Sequence, residues 1–211
     1  MGMSVVAVLL LINGVVFLAE LQDAGPLVQW LALWPFGLLT PAQSQSGAYP
    51  FWPWQLVTYG FLHGGLLHIL LNMYALWLFG TRLESLWGGR RFIGYYLACV
   101  VGAALTQLVV SEIALLQGGM AYPVLGASGG VFGVLLAFGL RFPETRLLLL
   151  FPPIPIKAKW FVLGYGAIEL FAGVTGTAEG VAHFAHLGGM LTGWLLLSYW
   201  GGRWGGGRRR W

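Results

Sequence analysis

Polar residues able to do chemistry fall in three short stretches of an otherwise apolar chain. The first holds His63, His68 and Asn72; His68 and Asn72 are four apart and stack on one helical face, with His63 about a turn nearer the surface. The second is Gly126-Ala127-Ser128-Gly129-Gly130, a serine among glycines at the start of an apolar run. The third is His183 and His186, three apart on roughly one face. A serine hydroxyl beside an imidazole is an activated nucleophile, because the ring takes the hydroxyl proton and later returns it to a leaving amine. Free amide groups at a helix start, joined by donors from His68 and Asn72, suit a developing oxyanion.

The elements that carry these residues must cross a membrane. Of 211 residues, 58% are hydrophobic and 9% charged, which excludes a charge-covered soluble surface and makes lipid the partner of the outside. The net charge of +4 therefore does not argue for nucleic acid, and no nucleic-acid partner is expected. A single cysteine, Cys99, excludes an intrachain disulfide and any cysteine-built metal cage. The 33 glycines follow no collagen-like period and fit close helix packing.

A hydrocarbon core of ~30 Å needs about 20 mainly apolar residues per helix. Six runs qualify: Ser4 to Leu21, Leu66 to Thr81, Phe92 to Ser111, Pro123 to Leu140, Ala158 to Val174 and Val181 to Trp200. The fifth follows a proline-broken stretch, Leu147 to Ile156, and carries Glu169. The first is a mature helix rather than a signal peptide, since no Lys or Arg precedes Arg82. Residues 1–200 thus form a six-helix, all-α membrane domain, and 201–211 a basic tail anchored at the inner leaflet.

Charge tests this count. With six crossings, all 11 basic residues (Arg82, Arg90, Arg91, Arg141, Arg146, Lys157, Lys159, Arg203 and Arg208 to Arg210) share one side with the termini. The opposite loops hold only Asp23, Glu112 and Glu179, with Glu20 at the edge. Both termini are therefore expected in the cytoplasm. The first long loop, Gln22 to Leu62, places Trp30, Trp34, Trp52 and Trp54 at the outer leaflet.

In this arrangement the second, fourth and sixth helices all begin on the outer side. All four histidines then lie at a depth similar to that of Ser128. Small residues four apart, Gly126 and Gly130, Gly129 and Gly133, Gly189 and Gly193, let the fourth and sixth helices approach and bring Ser128 to His186. A triad lacks an acid: Asp23 is remote, and Glu169 is expected near mid-membrane or below, bonded to a neighbouring helix without chemistry. His63 and His183 read as structural or interfacial, and Glu84 as a salt bridge or loop brace near Arg82, Arg90 and Arg91. No metal is expected, because no H-E-x-x-H signature is present and no carboxylate neighbours the histidines in sequence. The G-x-S-x-G match is not a nucleophile elbow, which needs a soluble strand-turn-helix.

These residues resemble the rhomboid intramembrane serine proteases. The likeness lies in His63-x4-His68-x3-Asn72 continuing through Gly80 to Glu84 and Gly88, in Gly126-Ala127-Ser128-Gly129 with Phe132 and Gly133, and in Ala185-His186-Leu187-Gly188-Gly189 with Gly193. It spans about Ser4 to Trp200. The resemblance implies a six-helix bundle, a Ser128–His186 dyad, and an oxyanion site of His68, Asn72 and the Ser128 N–H. It also implies an aromatic Phe132 packed near His186, no cofactor, and transmembrane protein substrates cut near the outer face. A non-catalytic relative that binds membrane proteins is the alternative, and such relatives usually lack the serine or histidine. The minimal six-helix form points to a bacterial or archaeal plasma membrane, with an organelle membrane as the alternative.

Overall fold

Ser4 starts the first helix by accepting a hydrogen bond from the Ala7 amide at 3.1 Å, and α1 then runs over Val5–Glu20. The computed structural model describes residues 2–37, 47–148, 153–176 and 182–204. Helix α2 spans Ala24–Leu31, and a short α3, Gln55–Thr58, continues into a 3-10 turn at Tyr59–Phe61. Helix α4 covers Leu66–Trp87 with a π-helical turn at Leu76–Gly80. It ends at Gly88, whose φ of 78° needs no Cβ and lets α5, Gly89–Leu116, start at the next residue. Helix α6 is Ser128–Arg141, α7 is Ala158–Thr175 and α8 is His183–Trp204.

Each of the six apolar runs thus holds a helix, with altered limits. The second continues past Thr81 to Trp87 through the π turn. The fourth begins at Ser128 rather than Pro123, because Val124 instead exchanges two backbone hydrogen bonds of 2.9 Å with Leu33. Helix α8 continues to Trp204, past the expected domain end at residue 200. The chain is mostly helical, and among the described residues the all-α expectation is modified by an antiparallel strand pair, β1 at Arg146–Leu148 and β2 at Pro155–Lys157. Its base is closed by Glu144, paired with Lys157 at 2.6 Å and with Lys159, which together hold the carboxyl down to about 2. Glu179, the Arg208 to Arg210 run and the Arg203 side chain lie outside the described residues.

Helices α5, α6 and α8 build the core. Phe92, Tyr95, Tyr96, Cys99 and Ala103 of α5 are buried against them. A Cβ on Gly189 would collide with the Gly129 carbonyl oxygen, and one on Gly133 with the Cys99 sulfur, so glycine alone allows this approach. The outward faces are as apolar as the core: Leu11 and Leu18 of α1, Leu67 and Leu70 of α4, and Phe171 and Val174 of α7 are all exposed. Such a surface suits lipid. Among the described residues, α4 (22 residues, mean hydropathy 1.3) and α5 (28 residues, 2.0) are long and apolar enough to cross a membrane, while α1 and α6 are shorter apolar helices.

Candidate active site

Ser128 is held from behind before it can meet a base. The Gly126 N–H donates to the Tyr59 carbonyl at 2.9 Å, and the Tyr59 hydroxyl donates to the Val100 carbonyl at 2.8 Å. With the Leu33–Val124 bridge, these bonds fix the turn from which α6 departs. Ser128 is the first residue of α6, where backbone N–H groups have no intrahelical acceptor.

Across the glycine seam, His186 Nε2 lies 2.8 Å from Ser128 Oγ. Phe132, one turn after Ser128, stacks on the His186 ring at 4.2 Å and 6° between planes. Tyr165 stacks on Phe132 at 5.2 Å, and Phe161 on Tyr165 at 5.6 Å. The imidazole is thereby clamped by an aromatic column drawn from α6 and α7.

Gly126 separates Ser128 from His68. A Cβ there would meet His68 Cε1 and Nε2 at 2.9 Å and Ser128 Oγ at 3.5 Å, and its φ of 135° is unfavourable for other residues. His68 Nδ1 accepts the Gly64 N–H at 3.3 Å, so its proton sits on Nε2, the atom turned toward Gly126. Asn72 is buried one turn deeper, and its amide donates to the His68 carbonyl at 3.0 Å. Among the described residues Asn72 makes no hydrogen bond to Ser128. Gly129 supplies the close contact of α6 with Ala103 and α8.

His63 is buried edge-on against His68 at 5.1 Å, and its backbone N–H donates to both Glu20 carboxylate oxygens at 3.1 Å. Burial, with His68 alongside, pushes its imidazole down to about 4. Glu84 acts as a brace, and among the described residues it forms no ion pair: its carboxylate accepts the Val5 and Val6 amides at 2.6 and 2.9 Å, the free N-terminal groups of α1. Trp30, Trp52 and Trp54 are exposed in a stacked row, as an interfacial anchor requires, whereas Trp34 is buried.

The depth expected for Glu169 is wrong. Gly173, one turn beyond it on α7, lies against Phe184 and His183, so α7 and α8 close up where Glu169 faces the histidines. Glu169 Oε2 lies 2.8 Å from His186 Nδ1 and 2.7 Å from His183 Nδ1. Spacing along one helix could not show this, because the partner belongs to a neighbouring helix. These three groups fall within 4.8 Å of one another, a set able to ligate a metal, although hydrogen bonds already join them.

A Rhomboid domain model matches residues 51–203. The chain is 34% identical over 146 residues to Rhomboid protein 1, mitochondrial, of Saccharomyces cerevisiae, covering 66% of this chain and 39% of that protein. It is 32% identical over 145 residues to Presenilin-associated rhomboid-like protein A, mitochondrial, of Danio rerio, covering 68% and 37%. It is also 38% identical over 82 residues to Rhomboid protease GluP of Bacillus subtilis, covering 39% and 14%. The chain therefore spans well under half the length of the curated relatives it matches. The mitochondrial names of the two broad matches overturn the expectation of a plasma membrane with cytoplasmic termini. A match over most of the chain, on the segment that carries every residue of the site, shows that the chain belongs to the rhomboid family.

Proposed function

We propose that this chain is an intramembrane serine endopeptidase that cleaves transmembrane proteins near the membrane face at which α4, α6 and α8 begin. One observation carries the reading: the 2.8 Å contact between Ser128 Oγ and His186 Nε2 at a helix start. Ser128 Oγ attacks the scissile carbonyl while its proton passes to His186 Nε2. The Ser128 N–H, at the helix start, and the His68 Nε2–H, beside Gly126, stabilise the oxygen that gains charge, and the Asn72 amide bonds the His68 carbonyl from one turn deeper. His186 then protonates the leaving amine, and water, deprotonated by the same nitrogen, releases the acyl group from Ser128.

Six membrane crossings complete this reading, supported by the confinement of all 11 basic residues to one side. Lipid covers the exposed apolar faces, no cofactor takes part, and the mitochondrial relatives support residence in a mitochondrial membrane. Cleavage of a transmembrane substrate by purified protein in liposomes tests the proposal. Ser128→Ala and His186→Ala should each abolish turnover while leaving the protein inserted and folded. Cleavage retained in Ser128→Ala would reject Ser128 as the nucleophile.

A further inference from the structure

Glu169 is buried, 6% exposed, on a helix whose neighbouring residues Ile168, Leu170 and Phe171 are exposed apolar side chains. A carboxylate there is costly unless donors converge on it. Two do, both on the same oxygen: the Nδ1 atoms of His183 and His186 at 2.7 and 2.8 Å. An ionised carboxylate only accepts, so each bond requires an imidazole with its proton on Nδ1. For neutral His186 this leaves the Nε2 lone pair free, 2.8 Å from the Ser128 hydroxyl. A base with the other tautomer would offer Ser128 a proton instead of taking one.

We infer that Glu169 is a positioning residue of the proteolytic reaction, holding His186 in the Nδ1–H form and in line with Ser128. The inference rests on the protease reading above and extends its two-residue machinery to three. Two constraints act on the ring at right angles. Phe132 fixes its plane by stacking, and Glu169 fixes its rotation within that plane. When Ser128 attacks, the proton moves from Oγ to Nε2 and the ring becomes an imidazolium; the Nδ1–H bond to Glu169 then becomes charge-assisted and strengthens. The proton on Nδ1 stays there throughout. His183 anchors the carboxylate from its second side, so that Oε2 does not turn away when His186 releases its proton to the leaving amine.

Two measurements test this. First, Glu169→Gln in liposomes should lower kcat by about 100-fold or more with KM within about twofold of wild type, the loss expected when a general base is no longer held ready. Second, 15N-histidine NMR of the otherwise unmodified protein, assigned with a His186→Asn sample, should show neutral His186 protonated at Nδ1 and bare at Nε2. The NMR measurement needs no activity and leaves Glu169 unchanged. An unchanged kcat in Glu169→Gln, or a neutral His186 protonated at Nε2, overturns the role of Glu169. If Ser128→Ala cleaved as well as wild type, the protease reading itself would fail, an outcome separable from either.

Discussion

Ser128 and His186 are 58 residues apart, yet the contact they make was legible because each sits among glycines near the start of an apolar run. Glu169 was not legible as their neighbour. Its depth depends on where α7 ends and how closely α8 approaches at Gly173, both tertiary facts. His63 shows a different kind of residue-scale consequence. Its two ring nitrogens are buried without hydrogen-bond partners among the described residues, and its imidazole is held down to about 4. An unfolded histidine takes a proton as pH falls through ~6.5, whereas folded His63 resists until about 4, so stability should fall between these values and level off below. Thermal unfolding in detergent at pH 7 and pH 4.5 measures this. The fall in Tm should be smaller in His63→Phe than in wild type, and an equal fall would show that His63 is not the group responsible.

Between helices, glycine decides what can approach what. The small-residue pairs read from the sequence do lie at the α6–α8 contact, where Gly189 faces the Gly129 carbonyl. Gly189→Ala places a methyl group against backbone that cannot rotate aside, at an expected cost of about 1–3 kcal/mol. It should also widen the Ser128–His186 contact, so activity should fall by more than stability alone explains. Gly164→Ala on α7 is the control: nothing lies within 4 Å, and alanine favours the helix. Paired Tm and turnover measurements check both; a neutral Gly189→Ala would contradict the seam. The helix limits were less legible than the helices. The π turn of α4 and the strand-like pairing of Val124 depend on partners elsewhere in the chain, Phe92 and Val6 packed against Gly80 in one case and Leu33 in the other.

For the whole molecule, the basic residues order the two sides of the membrane relative to each other without saying which membrane it is. That is why the sequence yields a division of sides to be tested, while the expected residence in a plasma membrane is corrected by the mitochondrial relatives. Six crossings make a sharp prediction in a Cys99→Ser background. Met120→Cys and Thr175→Cys should react with an impermeant thiol reagent from one side of sealed vesicles, and Gly2→Cys, Thr145→Cys and Gly206→Cys only from the other. If Gly206→Cys reacted with the Met120 group, the number of crossings would be odd. His186 would then enter the membrane from the wrong side to meet Ser128. That meeting is the centre of the account, and a fluorophosphonate tests it without any substrate, since the reagent forms a covalent bond only with an activated serine. Mass spectrometry of the labelled wild-type protein should find the adduct on Ser128, with labelling lost in His186→Ala. An adduct on another serine, or full labelling of Ser128 in His186→Ala, would contradict the claim that His186 activates Ser128.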